Sequence, residues 1–183
     1  VTGASVENIR CTAAGELAAL RARMPDYAHA FQPLLQPLDD YALRILERQI
    51  KPHIPEDAQK RDDYFDPYLD TLNPRHANQL ERNGRYLRDN LVFGRPISRL
   101  GTFLFCLRYA TEGGWGAAGV WRDVQQVFSG QAMADLYTDL EQVNEFRNTR
   151  VAHVEKKLDD ADEAWGALKV WFRSLDRMAR IAG

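Results

Sequence analysis

Apolar residues recur at steps of three and four along most of this chain, and no convincing stretch alternates apolar and polar residues as a half-buried strand does. The first apolar stripe predicts an amphipathic helix that ends near Pro25, because proline cannot continue the hydrogen bonding of a helix. Its members are Val6, Ile9, Ala13, Leu17, Leu20 and Met24.

Prolines and aspartates divide the next part of the chain. A short helix disturbed by Pro33 is expected over residues 27–36. A second clear helix, capped by Asp39 or Asp40, is then expected to continue up to the linker 51–55, which contains two prolines.

The middle of the chain holds two more predicted helices. Pro74 can open a helix at its first turn, and the pattern carries this helix toward Asn90. Pro96 is expected to start the next helix, whose dense apolar content indicates deep burial. A glycine-rich loop ends that helix at residues 113–116.

Two long helices are predicted in the last third of the chain. The first runs from residue 131 to about 151, and the second begins at a cap on Asp159 or Asp160 and reaches about residue 178. Because a tight turn joins them, they should lie antiparallel. The fold class expected is therefore all-α, a helical bundle of about six to seven helices with two long antiparallel C-terminal helices.

Composition places the chain in the ordinary globular range, since 45% of its residues are apolar and 27% are charged. A length of 183 residues suits a single all-α domain, with residues 1–55 as a candidate N-terminal helical subdomain. The formal net charge of −2 is no signature of a nucleic-acid-binding protein, so any site for a polyanion has to be local.

The two cysteines and the hydropathy of the chain indicate the cellular compartment in which the protein is expected. Cys11 and Cys106 are far apart and form no CxxC pair, which is compatible with a reducing compartment, while a single disulfide stays open. No apolar run reaches about 18 residues and no signal-peptide pattern is present, so we expect a cytoplasmic protein without a membrane partner. The chain starts at Val1, which we interpret as processing or as a fragment of a larger protein whose other domains would be partners.

The residues best suited to chemistry are Arg147, Asn148 and His153. Arginine carries a permanent charge in a fork shaped for phosphate, and histidine exchanges a proton near neutral pH. Those properties serve metal-free cleavage of the RNA backbone, in which a 2′-hydroxyl loses a proton, a 5′-oxygen gains one and charge grows on the phosphoryl oxygens. Asn148 could orient the histidine or the substrate. Further cations that could bind flanking phosphates are Arg150, Lys156 and Lys157.

A straight α-helix would not bring this motif together. Six residues span about 9 Å along the axis and place Arg147 and His153 about 120° apart around it. The two side chains can meet on one phosphate if the helix loosens near Val151 or Ala152, or if a second chain supplies the opposing face.

The pattern Arg147-Asn148-x4-His153, on the penultimate long helix of an all-α domain, resembles the HEPN superfamily, many of whose members are metal-independent ribonucleases. The resemblance covers mainly residues 131–178 and implies a HEPN-like core over residues 74–183. It implies a homodimer whose two motifs face each other, RNA as the substrate, no metal or cofactor, and a role in a toxin or antiviral defence system. One subfamily has a regulatory tyrosine two positions after the histidine; this chain has Glu155 there, which disfavours that control.

The alternative is a non-catalytic helical module for dimerisation or protein interaction. In that interpretation Arg147 pairs with Glu141 or Glu145, and His153 is favoured at a helix C-terminus by the helix dipole. Charge segregation also suits protein contacts, because residues 55–70 hold six acids and two bases, whereas residues 75–99 hold six arginines and two acids. The arginines could track phosphates, or they could pack against the acidic segment just before them.

Overall fold

Helices account for the regular structure of the chain. The structure is a computed structural model that describes residues 6–21, 26–66, 74–113, 118–151 and 157–183. These ranges contain eight α-helices and no strand, so the all-α class is confirmed. The helices are α1 (Val6–Arg21), α2 (Gln32–Gln49), α3 (Ala58–Phe65), α4 (Pro74–Leu91), α5 (Arg99–Thr111), α6 (Val120–Phe128), α7 (Gln131–Phe146) and α8 (Ala161–Ala182).

The start of α2 differs from the prediction. A 3₁₀ turn, Tyr27–Phe31, leads directly into α2, so Pro33 lies in the first helical turn, where its missing N–H is not needed. Asp39 and Asp40 consequently lie inside this helix and do not cap it. Instead of a disturbed helix followed by a second one, the chain forms one continuous helix here.

The start of α5 lies three residues beyond Pro96. The buried Asn90 side chain donates to the Ile97 carbonyl (2.7 Å) and accepts from the Ile97 N–H (3.3 Å), which holds the turn before α5 in a non-helical path. Ser98 precedes the helix with a positive φ of 41°. Asn90 thus acts across the turn between α4 and α5, a role that periodicity does not indicate.

The chain divides into two compact units, one formed by residues 1–41 with 138–183 and the other by residues 42–137. Both boundaries fall inside helices, α2 and α7. The division into a 1–55 subdomain and a 74–183 core stays a prediction.

In the first unit, α7 and α8 run antiparallel. Asp139 pairs with Arg173 and Arg177, whereas Arg150, beyond the end of α7, pairs with Glu163 near the start of α8. The partner of the later residue in α7 thus comes earlier in α8, which means that the two helices run in opposite directions. The antiparallel pair expected from the tight turn is therefore present.

In the second unit, aromatic side chains form much of the core. Trp121 is fully buried and packs edge-on against Phe105 (5.5 Å between ring centroids) and beside Tyr109 (5.2 Å). Tyr64 of α3 donates a hydrogen bond to Asp123 of α6 (2.7 Å), which ties together two helices that periodicity did not predict.

Replacing Tyr64 with phenylalanine should lower the free energy of unfolding by about 1.5–3 kcal/mol, because a hydrogen bond to a carboxylate is lost. Burial and the bond to Asp123 raise the pKa of Tyr64 above its ordinary value, so the folded state favours the neutral phenol. That stabilisation is complete below about pH 10 and is lost as the pH rises further. Urea unfolding between pH 8 and pH 11 should show a weaker alkaline loss in the Tyr64→Phe variant than in the wild type.

Tyr86, half-buried on α4, provides the control for this experiment. Tyr86→Phe should keep the alkaline loss of the wild type. Equal stability and equal pH dependence for Tyr64→Phe and the wild type would contradict the prediction.

Both cysteines are free thiols, with Cys11 exposed and Cys106 buried. Burial raises the pKa of the Cys106 thiol, which therefore stays protonated at neutral pH. None of the described helices combines the length and the hydropathy needed to cross a membrane.

Candidate active site and the groove between α7 and α8

Helix α7 changes its hydrogen bonding where the predicted motif begins. The segment Arg147–Val151 is π-helical and follows directly on Phe146. A π-helix is wider than an α-helix and disturbs the regular pairing of N–H and carbonyl groups. Here the Thr149 hydroxyl donates to the backbone oxygens of Glu145 (2.8 Å) and Phe146 (3.4 Å) and so satisfies carbonyls at the junction. The regular α-helix is therefore interrupted at the motif, and the interruption starts at Arg147. The meeting of Arg147 and His153 stays a prediction.

Arg147 is half-buried and Asn148 is exposed. Within the described ranges, no carboxylate forms an ion pair with Arg147, so neither Glu141 nor Glu145 is its partner. A half-buried guanidinium without a counter-charge suits a site that binds an anion.

Arg150 differs from Arg147. Its Nη2 lies 2.9 Å from Oε1 and 3.2 Å from Oε2 of Glu163, so it forms an ion pair with a carboxylate of α8. Its binding to a flanking phosphate stays a prediction. Lys157 is exposed, whereas His153 and Lys156 lie outside the described residues. Arg147 and Asn148 are thus the catalytic candidates that the structure places.

The first turn of α8 is anionic. The Asp160 side chain accepts from the N–H groups of Asp162 (2.8 Å) and Glu163 (3.2 Å), which confirms the predicted cap. Acidic side chains at a helix N-terminus interact favourably with the helix dipole. This end of α8 therefore presents carboxylates to its surroundings.

A groove lies between the end of α7, the π-helical segment and the first turns of α8; we call it the α7–α8 groove. Its polar half has a volume of about 400 Å³ and its apolar half about 300 Å³. The two halves share Gln142, Phe146 and Glu163. Glu145, Thr149 and Arg150 complete the polar half, and Val143, Gly166, Ala167, Val170 and Trp171 complete the apolar half.

Phe146 and Trp171, which line this groove, both pack against the ring of Phe31. Phe31 lies 4.8 Å from Phe146 and 5.0 Å from Trp171, measured between ring centroids. Phe31 and Trp171 are fully buried, whereas Phe146 is half-buried. Because the buried pair supports Phe146, the residue just before Arg147 is held by tertiary packing as well as by its helix.

The motif did not indicate Glu163, Gly166 or Trp171. Trp171 is completely buried and belongs to the core of the first unit. The available signal for a groove was Gly166, an exposed glycine inside a long helix, where it costs stability relative to alanine.

At least three of the six arginines in residues 75–99 form ion pairs with carboxylates, one of them being Arg85 with Glu81. Arg88 binds Asp62 of the acidic segment at 2.5 Å, and Arg95 binds Asp89 at 3.2 Å. These pairs favour the packing interpretation of the charge segregation over a phosphate-tracking surface. In the described part of the chain, no group of three or more His, Cys, Asp or Glu side chains is arranged to hold a metal ion.

No family model, curated protein or solved structure matches this chain. The resemblance to the HEPN superfamily therefore stays a prediction based on the Arg147-Asn148-x4-His153 pattern and its position on the penultimate long helix.

Proposed function

We propose that this chain is a metal-independent endoribonuclease domain of the HEPN type, active as a homodimer within a toxin or antiviral defence protein. The observation that supports this best is the π-helical segment Arg147–Val151, which interrupts α7 at the motif. The absence of a carboxylate partner for Arg147 in the described ranges gives further support, because a free guanidinium fork is available to a phosphate.

The proposed reaction is an attack by the RNA 2′-hydroxyl on the adjacent phosphorus, with departure of the 5′-oxygen and formation of a cyclic phosphate. His153 transfers a proton in this step, and Arg147 donates hydrogen bonds to the phosphoryl oxygens as their charge grows. Asn148, which is exposed next to Arg147, orients the histidine or the substrate. Lys156 and Lys157 bind flanking phosphates, so no cofactor is required.

Dimerisation belongs to this proposal because a second copy of the motif can supply the opposing face of the cleft. Sedimentation velocity of the purified chain should then give the mass of a dimer.

Incubation of the purified chain with total RNA in EDTA tests the proposal. The wild type should produce fragments that end in cyclic phosphates, and His153→Ala should produce none while its circular dichroism stays helical. His29→Ala removes an exposed histidine outside the motif and should cleave like the wild type. Undiminished cleavage by His153→Ala would contradict the mechanism.

The second candidate function is a non-catalytic interaction module. The apolar half of the α7–α8 groove favours it, since an apolar concavity can receive a side chain of a partner protein. A wild-type chain that leaves RNA intact would support this function.

A further inference from the structure

We infer that the α7–α8 groove is a nucleobase-binding subsite that selects guanine beside the cleavage site. The inference rests on the proposed function, because it assigns a substrate preference to the same site. Four features of the groove carry it: its size, the open position at Gly166, the Glu145 carboxylate, which has no partner among the described residues, and the presence in its lining of Phe146, the residue before Arg147.

The dimensions and lining of the groove suit a flat ring. Small-molecule sites commonly measure about 300–1,000 Å³ and combine apolar walls with a few polar groups, and the apolar half alone reaches about 300 Å³. Val143 and Phe146 contribute one wall from α7, and Ala167 and Val170 contribute the other from α8. Unstacked RNA bases are commonly bound against aromatic side chains such as that of Phe146.

Gly166 keeps the groove open. A Cβ atom built on Gly166 would meet no atom within 4 Å, so the space above this residue is empty. Any larger residue would place its side chain in that space without displacing the backbone. A glycine here lowers helix stability relative to alanine, and a binding role explains its presence.

The polar half offers one carboxylate without a partner. Glu163 is engaged by Arg150, whereas Glu145 lines the groove and has no ion-pair or hydrogen-bond partner for its carboxylate among the described residues. An ionised carboxylate only accepts hydrogen bonds, so it selects ligand edges that donate. The Gln142 amide, which can donate and accept, lies beside it in both halves of the groove.

Guanine matches this arrangement best among the four bases. Its N1–H and its 2-amino group are adjacent donors on one edge, and a carboxylate can accept from both in parallel. Its carbonyl O6 can accept from an amide such as that of Gln142. Adenine and cytosine each present one amino group next to an acceptor, and uracil presents a single N–H between two acceptors, so each leaves one carboxylate oxygen facing an acceptor.

The position of the groove relates the base to the scissile phosphate. Phe146 lines both halves of the groove and immediately precedes Arg147, the residue proposed to bind that phosphate. A nucleotide with its base in the groove therefore has its own phosphates close to the motif. Cleavage is expected next to guanosine.

Isothermal titration calorimetry with the four nucleoside monophosphates tests the inference, and His153→Ala protein is used so that binding is measured without catalysis. GMP should bind at least tenfold more tightly than AMP, CMP or UMP. Glu145→Gln should lower GMP affinity at least tenfold and bring it near the affinity for the other nucleotides. Gly166→Leu should abolish GMP binding because its side chain fills the groove.

Gly15 provides the matched control. It lies in helix α1, and a Cβ there also meets no atom within 4 Å, so Gly15→Leu makes the same change away from the groove and should leave GMP affinity unchanged. Equal affinity for all four nucleotides, or GMP binding that persists in Gly166→Leu, would overturn the inference. If the wild-type chain binds GMP but does not cleave RNA, the proposed ribonuclease function is wrong and the guanine-binding subsite is supported. If the chain cleaves RNA but shows neither GMP binding nor a preference for guanosine, the ribonuclease function is supported and the guanine-binding subsite is wrong.

Discussion

Replacement of Arg147 with alanine is expected to lower the rate of RNA cleavage in EDTA by about 10²–10³-fold, the cost of removing one fixed donor that stabilises transition-state charge. The guanidinium is half-buried and has no carboxylate partner in the described ranges, so under the proposed function the RNA phosphate would supply its counter-charge. The rate should be measured under single-turnover conditions on a short RNA, which separates the chemical step from product release.

Two further variants make this result specific. Arg147→Lys keeps the charge but loses the paired donors of the fork, so it should recover only a small part of the lost rate. Arg85→Ala removes an exposed arginine that pairs with Glu81 within α4, and it should cleave like the wild type. A rate for Arg147→Ala within threefold of the wild type would exclude Arg147 as the phosphate-binding residue.

The apolar periodicity predicts those parts of this fold that are determined by residues close together in sequence. The stripe of α8 and its cap on Asp160 were both predicted, because the buried face of a helix and an N-terminal cap are determined within a few positions of sequence. Proline positions predicted the helix boundaries less well. Pro33 lies in the first turn of α2, where proline is tolerated, and it does not interrupt the helix.

The details of the candidate site depend on contacts that sequence spacing does not contain. The change to π-helical bonding at Arg147 spans only five residues, too few to alter an apolar period. The neutralisation of Arg150 by Glu163 joins positions 13 residues apart, across the turn between the two helices. Spacing therefore identified the reactive residue types. It could not separate Arg150, which pairs with Glu163, from Arg147, which has no ion-pair partner among the described residues.

Asp139 is expected to be the most costly charged residue to remove from the first unit. It is buried, and its carboxylate accepts from Nε (2.9 Å) and Nη2 (2.5 Å) of Arg173 and from Nη1 (2.7 Å) of Arg177. Asp139→Ala should lower the free energy of unfolding by about 3 kcal/mol, because it breaks a buried ion pair and leaves two cations without their acceptor. The corresponding fall in Tm for a chain of this size is about 6–12 °C.

The partners of Asp139 keep this cost at the lower end of the range for buried pairs. The Arg173 side chain is 51% exposed and that of Arg177 is 33% exposed, so both cations can recover some hydration when the carboxylate is gone. Asp135→Ala is the control, since Asp135 lies one turn earlier in α7, is exposed and should change stability by less than about 0.5 kcal/mol. Urea unfolding of both variants tests this prediction. Equal unfolding midpoints for Asp139→Ala and Asp135→Ala would show that the ion pairs of Asp139 do not stabilise the fold. If the loss is found, the cluster fixes the register of α7 against α8, and the α7–α8 groove depends on that register.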